Sequence, residues 1–341
     1  MSIYIYEASE FDRQYLSEHL PGEHLKFSPD PLTDVSQLIT LAGPDGLAEI
    51  ESISVFVHSR VDAEIIEALP NLKLVTTRST GFDHINVPAC ESRGIPVSTV
   101  PTYGENTVAE HTFALILALS RNVHKAYNRT SSGDFSLEGL QGFDLKGKTI
   151  GIVGVGHIGL HTIRIAKGFG MDVLAYDPNP NPTAAEVIGY KYTTLDDLLG
   201  RSDIVSLHAP YNTATHHLIG EENIHKIKRG ALLINTARGA LVDTGALLRA
   251  LDEGILRGAG LDVVEGEEVF SEEKQLIGNA DASSDRLRMA LRNLSLLKRA
   301  DLIVTPHIAF DSAEAMERIL ATTTENILAW RAGSPKNVVH T

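Results

Sequence analysis

The chain of 341 residues contains one cysteine, one tryptophan and few aromatic side chains, 6% in all. Because Cys90 is alone, the sequence excludes an intramolecular disulfide and a cysteine-based metal cluster. No helix terminus or histidine that would activate its thiol is evident beside it. We therefore expect Cys90 to lie in a surface turn without a chemical role.

Long hydrophobic runs are also missing. The longest one covers residues 113–119, far short of the ~20 residues that cross a bilayer. Residues 1–7 lack the basic and apolar regions of a secretory signal. These observations predict a cytoplasmic protein with no membrane partner.

Basic side chains are in deficit, since 30 Lys and Arg stand against 44 Asp and Glu, for a net charge of −14. Such a surface repels nucleic acid phosphates, so we expect no nucleic acid partner. A small anionic substrate would need a locally basic pocket. The 43% of hydrophobic and 22% of charged residues are typical of a folded globular protein with room for two domains.

Metal-binding patterns are absent from the spacing of the 14 histidines, none of which forms an H-E-x-x-H motif. The adjacent residues His216 and His217 should point apart on a strand or loop. We interpret them as solvated surface and expect no metal site.

The most informative feature present is a run of three glycines, Gly154, Gly156 and Gly159, spaced G-x-G-x-x-G. In a dinucleotide site, the first glycine permits a tight turn and the second lets the pyrophosphate approach a helix N-terminus. The third allows the helix to pack closely on the strand. Residues 148–153 and 171–176 read as buried parallel strands, which is the context that the motif requires. That context disfavours the alternative of a glycine-rich turn that binds nothing.

Asp177 ends the second of these strands. Its carboxylate can accept hydrogen bonds from the adenosine ribose and would repel a 2′-phosphate. No Arg or Lys stands nearby to pair with that phosphate, so the sequence favours NAD over NADP. The alternative role for Asp177 is that of a strand-end cap.

Short apolar runs alternate with helical patterns along the whole chain, which predicts an α/β fold with parallel sheets. In the first hundred residues we predict strands at 3–6, 55–58, 72–76 and 96–98. A second alternation predicts the strand count of a complete six-stranded dinucleotide-binding sheet, with strands near Ile150, Val173, Ile204, Leu232, Ala259 and Ile303. We also predict one helix over residues 106–129, and an amphipathic one over 312–332 that returns to the first domain.

Polar residues follow four strands of the second alternation, where a parallel sheet binds its ligands. They are His208, Arg238, Asp262 with Glu267 beyond it, and His307. Together with the glycine motif, the segments 235–243, 260–267 and 305–310 resemble, in order, the D-isomer-specific 2-hydroxyacid dehydrogenase family. The likeness covers nearly the whole chain and is greatest to the D-lactate dehydrogenase branch.

This resemblance implies two doubly wound parallel-sheet domains. A Rossmann-type NAD-binding domain of residues 102–309 would be inserted in a flavodoxin-like substrate domain, formed by 1–101 and 310–341. It also implies a homodimer formed through the helix after Asn106, with burial of that helix in its own domain as the alternative. Residues 272–298 lengthen the segment before His307 beyond the family pattern, so we expect an added loop and helix there.

The resemblance implies that Arg238, Glu267 and His307 are catalytic. Arg238 would hold the acid and polarise its 2-oxygen, while His307 would exchange a proton with that oxygen. Glu267 would orient the imidazole and favour its charged form. Each residue has a plainer alternative, as a helix cap, part of a solvated acidic loop or a packed turn, and Glu265 competes for the role of Glu267.

Further contacts are implied by the same resemblance. The cofactor would be NAD, bound by the three glycines, Asp177 and His157, Ile158, His208, Ala209, Pro210, Thr215, Thr236, Ala237, Arg238, Asp262 and His307. The substrate would be bound by Ser79, Thr80, Gly81, Tyr103, Arg238 and His307, with the Ser79–Gly81 loop acting through its backbone amides. For Tyr103, a packing role at a hinge is an equal alternative.

We therefore expect an NAD-dependent oxidoreductase that interconverts a small 2-oxo acid and its D-2-hydroxy acid, with pyruvate and D-lactate as the leading pair. One alternative is a dehydrogenase for a bulkier 2-oxo acid. The other is an NAD(H)-sensing binding protein that resembles the corepressors built on this fold, which fold alone does not distinguish from an enzyme.

Overall fold

The computed structural model describes residues 2–43, 45–266 and 294–339. The chain divides into two compact units, one formed by Met1–Tyr103 with Ser312–Thr341 and the other by Gly104–Asp311. Each unit contains one sheet, and all the paired strands within both sheets are parallel. The predicted α/β class with two doubly wound sheets is confirmed.

The sheet of the first unit has the strand order β2-β1-β3-β4-β5, which is the flavodoxin-like order. Its strands are Ser2–Ile5 (β1), His24–Phe27 (β2), Ser52–Val55 (β3), Leu74–Thr77 (β4) and Val97–Ser98 (β5). Its helices, numbered in chain order, are Glu10–His19 (α1), Val35–Ala42 (α2), Ala63–Glu67 (α3), Val87–Ser92 (α4) and Ala313–Arg331 (α11).

Two strand predictions for this unit differ from the structure. The short edge strand β2 was not predicted. Strand β3 covers Ser52–Val55, whereas the predicted strand began at residue 55 and ended at residue 58. The residues after Val55 form a turn because their amide hydrogens are taken by a side chain. The Glu7 carboxylate accepts hydrogen bonds from the backbone N–H groups of Phe56, His58 and Ser59, at 2.9–3.0 Å.

The C-terminal helix α11 belongs to the first unit, as its amphipathic pattern predicts. Its residues Leu320 and Ile327 are buried in one cluster with Ile3, Ile5 and Leu16. Burying an aliphatic side chain of this size contributes roughly 1.5–3 kcal/mol. This packing explains why the chain returns to the first sheet after completing the second.

The sheet of the second unit has the order β12-β11-β10-β9-β6-β7-β8, which is a Rossmann sheet with one additional strand. Its strands are Thr149–Val153 (β6), Asp172–Tyr176 (β7), Lys191–Tyr192 (β8), Ile204–Leu207 (β9), Ala231–Asn235 (β10), Leu256–Leu261 (β11) and Leu302–Val304 (β12). All six predicted strands are confirmed. The seventh, β8, has only two residues and no sequence pattern of its own.

The helices of this unit are Glu105–Ser120 (α5), Val123–Ser131 (α6), His157–Gly168 (α7), Pro182–Ile188 (α8), Leu195–Arg201 (α9) and Thr244–Asp252 (α10). The prediction of one helix over residues 106–129 is wrong, because Asn122 interrupts it with a left-handed backbone, φ 54°. Asparagine tolerates this conformation. Its side-chain amide also donates to the carbonyls of Leu140 and Gln141, each at 3.3 Å.

Cys90 is fully buried in α4, and not in a surface turn as expected. Burial raises the pKa of its thiol to about 11, which leaves it protonated and unreactive at neutral pH. Among the helices that the structure describes, none combines the length and the apolar character needed to cross a bilayer. Most of the insertion predicted at 272–298 lies outside the described residues.

Candidate functional site

The glycine motif joins β6 to α7, as the sequence predicts. Gly154 has φ 92°, and a Cβ atom there would lie 2.6 Å from the backbone nitrogen of Ala209. A Cβ atom on Gly159 would collide with the carbonyl oxygen of Gly154. Gly154 is therefore required by its backbone conformation and by the close approach of Ala209. Gly159 is required because a side chain there would meet the Gly154 carbonyl, and it brings α7 against the turn.

Gly156 differs from the other two glycines because a Cβ atom at that position would meet no atom within 4 Å. It is also the N-cap of α7 and makes no side-chain capping hydrogen bond. The first turn of a helix has backbone N–H groups without partners in the helix and a partial positive charge. The open space in front of this helix end therefore fits the pyrophosphate of a dinucleotide.

Asp177 follows β7 and lies beside the glycine turn. Its Oδ2 accepts the backbone N–H of Val155 at 2.7 Å, and its Oδ1 accepts that of Asn179 at 2.8 Å. The side chains of His157 and Glu105 approach each other near the same helix end, at 3.9 Å. The Asp177 carboxylate is thus held at the end of β7, where a ribose hydroxyl can reach it.

The predicted catalytic residues follow neighbouring strands of this sheet. Asn235 of β10 pairs with Leu261 of β11, which pairs with Val304 of β12. Because these three strand ends are in register, the segments that carry Arg238, Asp262 and His307 leave the sheet at one edge. The ends of β10 and β12 are two strand spacings apart, about 9.5 Å.

Arg238 lies in a turn that is held by Asn235, which is almost fully buried. The Asn235 side chain donates to the Arg238 carbonyl at 2.8 Å and accepts the Ala237 amide hydrogen at 3.1 Å. A Cβ atom on Gly239 would collide with the backbone of Val264. This glycine therefore brings the Arg238 turn into contact with the loop after β11.

Asp262 organises the loop that carries His307. Its carboxylate accepts hydrogen bonds from the Thr305 hydroxyl at 2.5 Å and from the backbone N–H groups of Ile308 and Ala309 at 3.0 and 2.8 Å. His111 of α5 contacts the same carboxylate at 3.4 Å and the Thr305 hydroxyl at 3.1 Å. Burial raises the pKa of Asp262, but these hydrogen bonds outweigh it and keep the pKa below its usual range.

His307 itself has a left-handed backbone, with φ 53°. Its backbone N–H donates to the carbonyl of Asp262 at 2.9 Å, and its ring lies edge-on to Phe310 at 6.3 Å between centroids. A left-handed conformation is uncommon outside glycine and is stable only where its surroundings require it. Here the Asp262 carboxylate and carbonyl hold residues on both sides of the His307 side chain.

We expect Asp262→Asn to destabilise the protein by about 2–4 kcal/mol, because hydrogen bonds to a buried charge contribute roughly 1.5–3 kcal/mol each. Whichever way an asparagine amide is turned, its NH2 group faces a donor. Urea unfolding measures the effect. Thr305→Val is the matched variant, which removes one hydroxyl and should cost about 1 kcal/mol. Equal stability of the wild type and Asp262→Asn would show that the carboxylate does not hold this loop.

His208 follows β9, and its Nε2 lies 2.9 Å from the hydroxyl of Ser206. Desolvation lowers the pKa of His208 from 6.5 to about 4, so its imidazole is neutral at pH 7. Ala209 contacts the glycine turn, as described above, and the Pro210 carbonyl accepts a hydrogen bond from Thr215 at 2.7 Å. The cofactor contacts expected in this segment therefore lie beside Gly154 or in the loop that follows.

The low pKa of His208 predicts a pH-dependent stability. The unfolded chain binds a proton below pH 6.5 that the folded protein binds only below about 4. The contribution of His208 to the free energy of unfolding is therefore fully present above pH 6.5 and is lost as the pH falls to 4. It amounts to about 3 kcal/mol at most. The free energy of unfolding is measured with urea from pH 4 to 7.5. It should depend less on pH in His208→Gln than in the wild type. The same pH dependence of the free energy of unfolding in both proteins would contradict a desolvated, neutral imidazole at His208.

The expected substrate loop Ser79–Gly81 follows β4 in the first unit. The Ser79 hydroxyl donates to the Gly81 carbonyl at 2.7 Å and contacts the Thr77 hydroxyl at 2.7 Å. The Thr80 hydroxyl donates to the Val100 carbonyl at 2.8 Å. These bonds hold the loop through its side chains. The carbonyl of Tyr103 accepts a hydrogen bond from Arg318 at 2.6 Å.

Glu267 lies outside the described residues. Its competitor Glu265 is described, and its carboxylate lies 2.7 Å from Nε2 of His217. One residue that positions the site, His111, was not identified from the sequence. His111 lies within the apolar pattern of α5. Its Nε2 lies 3.1 Å from the hydroxyl of Thr305, which is 194 residues further along the chain. Only the fold reveals that contact.

The remaining expected cofactor contacts lie near the same sheet edge. The hydroxyl of Thr236 is buried and lies 3.0 Å from that of Thr112. The carbonyl of Ile158 accepts the Thr162 hydroxyl within α7. Taken together, a Rossmann sheet, a glycine turn with open space at a helix N-terminus, and polar side chains at adjoining strand ends define a dinucleotide-binding protein, with the polar groups of an oxidoreductase beside its cofactor site.

Comparison with known proteins gives the family. Residues 113–309 match the model of the D-isomer specific 2-hydroxyacid dehydrogenase NAD binding domain. D-lactate dehydrogenase from Escherichia coli is 35% identical over 332 residues, which cover 96% of each chain. Glyoxylate reductase from Thermococcus litoralis is 36% identical over 300 residues, 86% of this chain and 84% of the relative.

Among solved structures, D-lactate dehydrogenase from Aquifex aeolicus in complex with NAD and lactic acid superimposes with a TM-score of 0.86. It is 38% identical, and the match covers 97% of this chain and 96% of that one. The protein belongs to the D-isomer specific 2-hydroxyacid dehydrogenase family, in its D-lactate dehydrogenase branch. It is an NAD-dependent enzyme, as the glycine motif and Asp177 predict.

Proposed function

We propose that the enzyme reduces pyruvate to D-lactate with NADH and catalyses the reverse reaction with NAD. The observation that carries this proposal is the placement of Arg238 and His307 after strands β10 and β12, at the sheet edge that also carries the glycine turn. The choice of lactate is supported by relatives named D-lactate dehydrogenase that match nearly the whole chain.

Arg238 binds the substrate in this proposal. A guanidinium presents several N–H donors in a plane, so it can hold a carboxylate and also polarise the neighbouring 2-oxygen. The Asn235 side chain fixes the backbone on both sides of the Arg238 turn. A cation carried on a backbone that is held in place reorganises less when negative charge develops on the 2-oxygen.

His307 exchanges the proton. In reduction, its imidazolium donates a proton to the 2-oxygen, while bound NADH supplies a hydride to the 2-carbon. In oxidation, the neutral ring removes the hydroxyl proton. A histidine suits both directions because it ordinarily titrates near neutral pH. We propose that Glu267 pairs with this ring and favours its charged form, which extends reduction to higher pH.

For the first unit, we propose that the backbone amides of Ser79–Gly81 and the Tyr103 side chain contact the substrate carboxylate. Hydrogen bonds hold this loop. The hydroxyls of Thr77 and Ser79 bond to each other, and those of Ser79 and Thr80 donate to backbone carbonyl groups. Its amide groups are therefore set in position by the fold.

An assay of NADH consumption with a panel of 2-oxo acids tests the substrate. Pyruvate, glyoxylate, hydroxypyruvate and 2-oxoisocaproate form a graded series of side-chain size. We expect the highest kcat/KM with pyruvate and exclusively the D-enantiomer as product, which chiral chromatography resolves. A higher kcat/KM with 2-oxoisocaproate would favour the dehydrogenase for bulkier acids, and one with glyoxylate would favour the reductase named among the relatives.

The alternative of an NAD(H)-sensing binding protein predicts a different outcome. Such a protein would bind NADH in a fluorescence titration but give background turnover with every member of the panel. The relatives speak against this alternative, because those that match nearly the whole chain are named as dehydrogenases.

We also propose that the enzyme is a homodimer, formed through the helical segment after Asn106. Within that segment, Phe113, Ile116 and Leu119 of α5 are buried in the core of their own unit. In contrast, Tyr127, Phe135 and Leu137 of α6 and the following loop are 70%, 79% and 83% exposed. Three large apolar side chains exposed within eleven residues favour association, so we expect a second copy to cover them. Tyr127→Glu with Leu137→Glu should then yield monomers in sedimentation.

A further inference from the structure

The adjacent residues His216 and His217 do not point apart, contrary to the prediction from the sequence. Their rings are stacked at 3.9 Å between centroids, with 22° between planes. The cause is the left-handed backbone of His217, φ 48°. This conformation is uncommon for a residue other than glycine, and it turns two neighbouring imidazoles to the same side of the chain.

A carboxylate from a distant part of the sequence joins the two rings. Glu265, in the loop after β11, lies with its Oε1 2.7 Å from Nε2 of His217, and its side chain is 19% exposed. One nitrogen of each ring and one oxygen of Glu265 all lie within 4.8 Å of one another. We propose that His216, His217 and Glu265 bind a divalent transition-metal ion.

The surroundings of the two rings fit this role. Nδ1 of His216 lies 3.3 Å from the Tyr211 hydroxyl, and Nδ1 of His217 lies 3.9 Å from the Asp243 carboxylate. Histidines that ligate metals usually have their second nitrogen hydrogen-bonded to an outer partner, which orients the ring. Tyr211 is within that reach of His216, and the Asp243 carboxylate faces His217 from farther away. The arrangement leaves Nε2 of each ring for the metal, and the Thr244 hydroxyl lies 3.5 Å from the other oxygen of Glu265.

The donor set determines the class of ion. Two imidazoles and one carboxylate suit Zn²⁺, Co²⁺ and Ni²⁺, with water in the open position. Mg²⁺ and Ca²⁺ prefer oxygen ligands and are not expected. Binding replaces the hydrogen bond between His217 and Glu265. In a neutral ring, the proton moves from Nε2 to Nδ1, where Asp243 faces it, and a charged ring releases one proton.

A bound ion would connect two loops of the second unit. One carries Thr215, whose hydroxyl is bonded to the Pro210 carbonyl, and the other leads from β11 through Val264, which packs against Gly239. The metal site itself rests on geometry alone and does not depend on the proposed substrate. We expect bound Zn²⁺ to restrain both loops and to slow turnover.

Cobalt binding tests the site directly. Metal-free protein without a histidine tag is titrated with Co²⁺, and the visible absorption of the bound ion is recorded, so that the readout does not require activity. We expect one equivalent to bind, Zn²⁺ to displace it and millimolar Mg²⁺ to have no effect. His216→Gln should weaken Co²⁺ binding at least tenfold, because it removes one of three protein ligands.

The control is His225→Gln, since His225 is also exposed and lies in the same unit. It should bind Co²⁺ like the wild type. His216 is exposed, so its replacement should leave the fold intact, which circular dichroism checks, and Glu265→Gln provides a second variant. Absence of a cobalt spectrum, or the same affinity in His216→Gln and His225→Gln, would overturn the proposal.

Discussion

Replacing His307 by glutamine is expected to lower kcat for pyruvate reduction by about 10²- to 10⁴-fold, the usual contribution of a positioned general acid. Glutamine keeps a hydrogen-bond donor but cannot transfer a proton. The backbone N–H of His307 would still donate to Asp262, so the loop should keep its place. Stopped-flow and steady-state measurements of NADH oxidation separate the effect on the chemical step from the effect on binding.

The pH profile distinguishes a chemical role of His307 from a structural one. Wild-type reduction should slow at high pH as the imidazolium loses its proton, whereas the variant should lack this limb. His225→Gln serves as the control, because it removes an exposed histidine from the surface. Full activity of His307→Gln, or an unchanged basic limb, would mean that another group transfers the proton.

Replacing Arg238 by lysine is expected to lower kcat/KM by about 10³-fold, which corresponds to about 4 kcal/mol of lost transition-state stabilisation. Lysine keeps the positive charge but loses the planar fork that can hold two oxygens. In the proposed mechanism the guanidinium acts on both the carboxylate and the developing charge of the 2-oxygen, so kcat should fall and KM should rise together. Steady-state kinetics with varied pyruvate measure both constants.

Arg229→Lys is the matched control, since Arg229 is exposed in the same unit and donates to the Glu253 carbonyl. It should leave both constants unchanged. A second check is the affinity for NADH, measured by fluorescence, which tells whether the Arg238 variant still folds around its cofactor. An Arg238→Lys enzyme with wild-type kcat/KM would show that charge alone is sufficient and that the bidentate contact is not used.

The glycine turn shows how far local sequence can carry a structural prediction. Each glycine of the motif has a specific environment, with Gly154 in a left-handed turn, Gly156 facing open space and Gly159 against a carbonyl. These requirements are local, because a strand, a turn and a helix follow one another along the chain. Six of the seven strands of the second sheet were predicted for the same reason, as each of the six is a short apolar run between helical patterns.

Other elements were mispredicted where a distant side chain decides the backbone. The chain after Val55 turns because Glu7 binds its amide hydrogens. The helix predicted over 106–129 breaks at Asn122, whose side chain donates to carbonyls of residues 140 and 141. Neither partner is adjacent in sequence, so apolar periodicity could not reveal the break or the shift.

The candidate site divides in the same way. The sequence by itself determined the α/β class and the dinucleotide motif, and it supplied the residues that we propose for the reaction, because these depend on short segments whose order along the chain is enough to identify them. Only the tertiary structure decided that His111 and Thr305 support Asp262, and that Glu265 meets the stacked rings of His216 and His217. Such contacts arise when parallel strands bring remote loops to one edge of a sheet, and sequence spacing carries no record of that distance.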